Sequence, residues 1–441
     1  MLMAWWKKKT QLAEYGYAQL ALMVAEQTHT SASIKPSSQL SEMLYIAREE
    51  SVEIEPTDYF KVEASQFMDE DDDLEVGSNL TRLNLDTDPK SSPLYPPTLN
   101  MVHTTTHKEA VTCTAFTRDG RYAASGSADS SLKIVDVNKM KQASDDVHPV
   151  IRTLYDHETP VTDVDFHPNG LVLAASSDTV VKLYDISKPS VKRSFRYLQD
   201  SHPINSISFH PSGDFLLVGS EAETVRIFDV KTLQCFTPRA FTGPPQHTPS
   251  SASTSSVDIA AQQQQQGPHR GGINHIEYAS TGSVFITASQ DGSIKVWDAI
   301  AGKVVRTIEN AHSGKGVTTA TISKNGKYIL SGGWDSVSKL WDLGSGKLIH
   351  GFQGAAQKAV KQSTVFSYNE DFVFSSDESN NTIVCWDSRT GTLLKRYFGQ
   401  EGVIRSISAS PAENAIVSGG NDNRVRFWCV PNAPLAPAEP V

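Results

Sequence analysis

Cysteine is scarce in this 441-residue chain, which has only Cys113, Cys235, Cys385 and Cys429, far apart and with no CxxC pair. That excludes a disulfide framework and a zinc ribbon. Long apolar runs are missing too, and none approaches the ~18 residues that would span a bilayer. The opening MLMAWWKKKT sets its lysines after its apolar residues, the reverse of a secretion signal. These features predict a reduced, intracellular, soluble protein. A basic excess is also lacking, since the net charge is -10. Between positions 48 and 88 fourteen acids face three basic residues, Arg48, Lys61 and Arg82, a local net of -11 that leaves +1 for the remainder. The strongly basic footprint of a protein that binds nucleic acid alone is therefore absent. Catalytic signatures fail as well. Gly314-Lys315-Gly316 and Gly346-Lys347-Leu348 lack the Gly-Lys-Ser/Thr ending of a phosphate-binding loop, and there is no GxSxG elbow. The expectation is a protein that is no enzyme and carries no cofactor and no metal.

What the chain does have is repetition. One phrase recurs: small residues, an Asp, then alternating apolar residues that end in an aromatic and Asp. It reads GSADSSLKIVD at 126–136, SSDTVVKLYD at 176–185, GSEAETVRIFD at 219–229 and SQDGSIKVWD at 289–298. It returns as GWDSVSKLWD at 333–342, ESNNTIVCWD at 378–387 and GNDNRVRFWC at 420–429. Successive copies close 49, 44, 69, 44, 45 and 42 residues apart, a period near 44 broken by one insertion. A histidine stands 27 to 30 residues before the close in five copies, as His107, His157, His202, His269 and His312. Alternating runs such as VTDVDFHPNG (161–170), INSISFHPSG (204–213) and FLLVGS (215–220) follow, bounded by Gly, Pro, Asn and Asp. Period-two alternation between such turns predicts antiparallel strands. Four strands in a 40–45-residue period predict one propeller blade per copy. Seven blades close a ring, and MVHTT at 101–105 is placed to complete the last one.

On these phrases the chain resembles the WD40 repeat family. That resemblance implies one hydrogen-bonded network of His, Ser/Thr, Asp and Trp in each blade. The full set stands here as His269, Thr287, Asp291 and Trp297, and as His312, Ser331, Asp335 and Trp341. Elsewhere members are exchanged. The turn Asp persists as Asp129, Asp178 and Asp422 but gives way to Ala222 and Asn380. Trp gives way to Val135, Tyr184 and Phe228, and copies six and seven lack the His. The thirteen histidines are thereby mostly structural; His167 and His210 fall in His-Pro turns.

The fold class expected is all-β: a seven-bladed WD40 propeller over 99–430, preceded by a small α-helical dimerisation domain over 1–50. In that domain Leu12, Tyr15, Ala18, Leu22 and Ala25 recur every three or four residues. Leu40, Met43, Leu44 and Tyr45 mark a second helix that Ser37 or Ser38 could cap. Two short amphipathic helices make a poor core alone. They either pack on their own propeller or self-associate, and a homodimer through Leu12, Tyr15, Ala18, Leu22, Leu40, Met43 and Leu44 is the expectation carried forward. Residues 51–98 read as an acidic, Pro-rich linker, a solvated spacer or an acidic docking peptide. The Gln/Ser-rich insertion at 243–268 and the tail at 431–441 read as disordered.

Longer phrases narrow the resemblance. NSISFHPSGDFLLVGS (205–220), SKPSVKRSFRYLQ (187–199), SKNGKYIL with DSVSKLWD (323–342) and CWDSRTG (385–391) resemble the WD-repeat subunits of the cleavage stimulation factor. GYAQLALMVAEQT with KPSSQLSEML resembles their N-terminal dimerisation domain. MLMAWWKKK and the Gln-rich insertion depart from them. The resemblance implies a nuclear, non-catalytic scaffold in messenger RNA 3′-end cleavage and polyadenylation. Its implied partners are a HAT-repeat subunit, an RRM subunit that reads the RNA, a second copy, and the C-terminal domain of RNA polymerase II. RNA would be met only indirectly, and no membrane is involved. The alternative class is a WD40 substrate receptor of a ubiquitin ligase or other regulatory assembly, and a third reading, direct RNA binding by the propeller, needs a basic face.

In WD40 proteins the residue before the turn Asp often faces the top of the ring. Those positions are Ala128, Ser177, Glu221, Gln290, Trp334, Ser379 and Asn421, and Trp334 stands out as a hot-spot type. Arg424 and Arg426 alternate with Val425 and Phe427, which places the arginines on the more exposed face. Trp334, Arg424 and Arg426 are thus the candidate partner-binding residues. Lys188, Lys192, Arg193 and Arg196 form a basic stretch, either a solvated edge or a contact for phosphate or an acidic partner.

Overall fold

The computed structural model describes residues 95–142, 148–188, 190–238, 268–357, 359–361 and 363–430. The expected helical domain, its dimerisation residues Leu12, Tyr15, Ala18, Leu22, Leu40, Met43 and Leu44, the tail and nearly all of the linker and the insertion lie outside the described residues. Among the described residues the strands form seven four-stranded antiparallel sheets. Blade 1 runs from Val111 to Leu154, blade 2 from Val161 to Gln199, blade 3 from Ile204 to Phe236 and blade 4 from Ile273 to Ile308. Blade 5 runs from Val317 to Phe352, blade 6 from Thr364 to Tyr397, and blade 7 from Ile404 to Cys429. The strand Asn100–Thr106 pairs antiparallel with Arg424–Cys429 and supplies the fourth strand of blade 7. The ring is thus closed by the segment expected from MVHTT. No described helix is long and apolar enough to cross a membrane, and the four cysteines are free.

The core is distributed around the ring, because the second strand of each blade is buried on both faces. Seven hydrophobic clusters occupy the seven spaces between neighbouring blades. In the second strand of blade 2, Leu173 and Ala175 pack towards blade 1, whereas Ala174 packs towards blade 3. In blade 3, Leu216 and Val218 face blade 2 while Leu217 faces blade 4. Side chains alternate with period two, so a one-residue slip would exchange the two clusters. One short helix, Val137–Lys141, follows blade 1's third strand. The Asp136 carboxylate caps it by accepting the Asn138 and Lys139 N–H groups, and Lys141 pairs with Glu413 of blade 7 at 2.6 Å.

The first strand of each blade lines a central channel of about 830 Å³. The N–H groups along its free edge cannot be satisfied within its own sheet. In blades 1, 3, 4 and 7 side chains of the preceding blade satisfy several of them. Asp163 accepts from Ile207 N at 2.9 Å and Asp165 from Phe209 N at 2.7 Å. Ser208 accepts from Tyr278 N at 3.2 Å and Ser406 from Thr114 N at 3.0 Å, the latter across the ring's closure. Nearer the start of these strands, Thr112, Asn205 and Asn274 donate to the carbonyls of Val161, Ile273 and Val317 at 2.6, 2.9 and 2.7 Å.

The opposite ends of the first strands turn on His-Pro-x-Gly and related sequences. His167 Nε2 bonds the Gly213 carbonyl of blade 3 at 3.0 Å, and His210 Nε2 bonds the Gly282 carbonyl of blade 4 at 3.2 Å. Gly213 has φ +80°, and a β-carbon there would come within 2.1 Å of the His167 ring. Gly170 has φ +68° but open space around it. Both positions carry the left-handed strain, roughly 1–2 kcal/mol for a residue with a β-carbon. Gly213→Ala should therefore destabilise the propeller by at least ~2 kcal/mol more than Gly170→Ala, measured by urea unfolding. Equal losses would mean that the His167 contact imposes no constraint.

Candidate interaction surface

The loops at the channel end where the first strands begin are pinned by buried polar networks. In blade 5, Trp341 Nε1 donates to Ser331 Oγ at 2.8 Å, and Ser331 Oγ lies 2.8 Å from His312 Nε2. His312 Nδ1 lies 2.7 Å from Asp335 Oδ1. Tryptophan only donates and a carboxylate only accepts, so the chain runs Trp to Ser to His to Asp, with the histidine proton on Nδ1. Blade 4 repeats it: Trp297 to Thr287 at 2.9 Å, Thr287 to His269 Nε2 at 2.6 Å, and His269 Nδ1 to Asp291 at 3.2 Å. Burial opposes ionisation of Asp335, yet bonds to His312 and the charge of Lys339 outweigh it and hold its carboxyl down to about 2. Burial lowers the pKa of His269 despite Asp291 beside it.

A basic residue recurs in these corners. Lys295 Nζ bonds the Pro268 carbonyl at 3.1 Å, and Lys339 Nζ bonds the Ala311 carbonyl at 2.7 Å. Lys133 and Lys182 reach the carbonyls of Thr106 and Asp156 in the same way. Each binds the residue just before the network histidine and sits one residue into the apolar run. Lys or Arg stands at that place in six of the seven phrases, a recurrence that attention to the histidine and the turn aspartate overlooks.

Other blades rebuild the corner with different groups. In blade 1, His107 bonds Ser125 at 2.8 Å and Ser131 at 2.9 Å. In blade 2, the residue in register with Ser125 is Ala175, so His157 bonds Ser177 at 2.7 Å and its Nε2 is left without a partner. In blade 3, His202 is exposed and its ring bonds only the neighbouring Ser201 hydroxyl, at 2.8 Å, so it does not fill the buried corner, which corrects the landmark placed there. Asp200, two residues earlier, takes the corner and pairs with Arg226 at 2.8 Å. In blade 6, Asn380 does not replace the turn Asp alone. Asp377 accepts from Ala356 N at 3.1 Å and from Asn380 Nδ2 at 2.8 Å, and it pairs with Arg396. Gln357 and Gln400 stand where copies six and seven lack histidine, donating to Ser375 at 3.3 Å and Ser418 at 2.6 Å.

Arg426 must be corrected as a partner-binding candidate. It is only 1% exposed, and its guanidinium is held by Asp422 and Gln400. Its strand is covered on both faces, with Val425 and Phe427 packed against blade 1 and Trp428 against blade 6, and the arginine fills the recurrent basic corner. Arg424 is half-buried and pairs with Glu401 at 2.7 Å. Trp334 is half-buried. Its backbone N–H donates to the Gly316 carbonyl at 3.1 Å, and its ring covers Gly316, where a β-carbon would approach Cδ1 to 3.2 Å. Of the other positions before the turn Asp, Glu221, Gln290, Ser379 and Asn421 are exposed, Ala128 is half-buried, and Ser177 is buried in its network. At the channel mouth, Lys361 Nζ reaches the carbonyls of Asn205 and Asn274 at 3.3 and 2.7 Å. The arrangement is a rigid ring of short turns with a lysine over its centre. No cluster able to hold a metal ion occurs among the described residues.

Residues 64–243 match the family described as Nucleolar protein 10-like, N-terminal domain, a match that begins inside the acidic stretch read as linker. Residues 262–298, 302–342 and 391–429 match the WD domain, G-beta repeat. The chain is 40% identical to cleavage stimulation factor subunit 50 of Arabidopsis thaliana over 73% of its own length and 71% of that protein's. It is 23% identical to nuclear distribution protein nudF of Aspergillus niger, over 73% of this chain and 59% of that protein. It is also 23% identical to the WD repeat domain-containing protein 83 homolog of Dictyostelium discoideum, over 73% of this chain and 95% of that protein.

The glutamine corners suggest a clean titration test. Burial pushes the His107 pKa down to about 4, despite the nearby Asp129 charge. The unfolded chain takes up this proton near pH 6.5, so the stability His107 contributes is complete above that pH and is lost as pH falls towards 4. Relative to His107→Gln, the wild type should lose up to about 3 kcal/mol between pH 7.5 and 4, read from urea unfolding at several pH values. A pH-independent difference would show that this imidazole titrates alike in the folded and the unfolded chain.

Proposed function

The chain belongs to the cleavage stimulation factor subunit 50 family of WD-repeat proteins, and on that premise we propose that it is a non-catalytic scaffold subunit of a nuclear complex that processes messenger RNA 3′ ends. The observation that carries this reading is the 40% identity over 71% of the Arabidopsis relative. The geometry supports it. The turns around the channel mouth are held by buried networks, which keeps their exposed positions preorganised for docking. Trp334 and Arg424 are the residues through which a partner is proposed to engage. The proposed partners are a HAT-repeat subunit bound by the propeller and an RRM subunit that reads RNA. The C-terminal domain of RNA polymerase II is a further proposed contact. A homodimer through residues 1–50 doubles the number of RNA-reading arms and raises their effective concentration.

Affinity purification of the tagged full-length protein from nuclear extract tests the reading. HAT-repeat and RRM proteins should be recovered in stoichiometric amounts. Recovery of cullin-type scaffolds without any 3′-end processing factor would replace this reading with a ubiquitin-ligase receptor. Leu22→Asp with Leu44→Asp should halve the mass measured by light scattering at micromolar concentration. A wild type that is already monomeric there would remove the dimer from the proposal.

A further inference from the structure

We propose that the rim of blade 2 is a binding surface for single-stranded RNA, built from Lys188, Lys192, Arg193, Phe195 and Tyr197 with Arg152 of blade 1 behind it. The segment from 187 to 199 carries four basic residues and no acid. Arg196 is committed to the fold, since its Nη1 donates to the Val230 and Lys231 carbonyls of blade 3 at 2.8 and 3.0 Å. Lys188 is exposed and held loosely by Asp185 at 3.3 Å. Lys192 and Arg193 are exposed, and no described group pairs with their side chains.

The aromatic residues are what distinguish this surface from an ordinary solvated edge. Phe195 is 50% and Tyr197 65% exposed, at the start of the outermost strand of the blade. Leu198 packs inward against blade 3 and Arg196 also turns to that side, so Phe195 and Tyr197 share the other face. Two residues apart on extended chain, they are separated by about 7 Å, which suits two successive unstacked bases. A cationic track beside exposed rings is the arrangement that holds single strands, with phosphates on the cations and bases on the rings. An acidic peptide would use the cations but leave both rings idle.

Arg152 adds a further cation. It pairs in register with Ile134, as Arg196 does with Leu183 and Arg306 with Val296. Arg196 and Arg306 each bond carbonyls of the next blade's outer turn. By the same register Arg152 points to the segment that begins at Ile186, yet its Nη1 is buried without a partner. Buried there, it cannot itself touch a ligand, but its charge adds to the positive field that a phosphate on this rim would meet.

This inference goes beyond the scaffold reading and stands or falls separately from it, because it concerns the propeller without other subunits. The probe is a fluorescein-labelled 15-nucleotide uridine oligomer, titrated by anisotropy with the full-length protein at several salt concentrations. Lys192→Ala with Arg193→Ala should weaken binding about tenfold or more and lower the salt slope by about 1.4, at ~0.7 for each phosphate no longer neutralised. Phe195→Ala with Tyr197→Ala should weaken it at least about tenfold and leave the slope unchanged; Phe195→Tyr with Tyr197→Phe should restore it. The four substituted side chains lie outside the hydrophobic clusters, and unchanged unfolding midpoints would verify that each variant folds. The proposal is overturned if the wild type does not bind, or if neither pair of alanines matters. It is overturned in favour of an acidic protein partner if polyglutamate competes as well as RNA and the aromatic pair has no effect.

Discussion

The rest of the structure depends on how the free edge of each innermost strand is satisfied. A four-stranded sheet has two edges, and closure into a ring hides neither one by itself. At the channel wall, backbone N–H groups of blades 1, 3, 4 and 7 are met by side chains of the blade before, such as Asp163 and Asp165 to blade 3 and Ser406 to blade 1. An unmet buried N–H costs about 1–3 kcal/mol. The wall therefore needs short polar side chains at alternate positions of the inner strands, where a free-standing sheet would carry apolar ones. The same bonds fix the angular order of the blades, since each reaches only its neighbour.

Around that wall the blades share their cores. No cluster belongs to one sheet alone, so a blade has no complete core without both neighbours. Closure by Asn100–Thr106 then matters for more than one edge. It covers the strand that holds Val425 and Phe427 against blade 1, while Trp428 faces blade 6. The polar corners work from the other side. They tie the turn between the second and third strands to the loop that enters the blade, so that apolar packing and buried hydrogen bonding constrain the same segments.

The sequence was most legible where local pattern and global fold agree. The 44-residue period, the turn residues and the closing strand can all be read from alternation, because each strand's pattern reflects its own two faces. The corners of blades 4 and 5 follow the family's residues at their expected spacing. Legibility failed where one physical role passed to a residue at another position. His202 kept the spacing of a landmark, but the corner went to Asp200, four residues before the first strand as His157 is. Asp377 took a role assigned to Asn380 because its carboxylate reaches the same loop from one strand end earlier. Arg426 was misplaced because period-two alternation separates faces and does not say whether both are covered. The cross-blade bonds of Asp163, Asp165, His167 and His210 join residues 44 to 72 positions apart, and no local pattern encodes such a pairing.

The charged groups inside the ring oppose one another as pH changes. Burial lifts the carboxyl of Asp165 to about 7 and that of Glu277 to about 8, in each case against a backbone hydrogen bond that favours the ionised form. Raised carboxyl pKa values mean that the folded state holds protons the unfolded state has released. These two groups thus add stability as pH falls from near 8 towards 4. His107 and His157, both pushed down to about 4 by burial, do the reverse over pH 6.5 to 4. Between pH 4 and 6.5 the two sets counteract each other, and the channel carboxylates offset what the buried imidazoles lose. Below pH 4 that balance ends. Asp129 and Asp335, held down to about 2 by their hydrogen bonds, lose their contribution as pH falls through that range, and no raised carboxyl remains to titrate against them. Acid should therefore loosen first the loops that these two aspartates pin, while the inner wall, its carboxyls already protonated, still holds the ring.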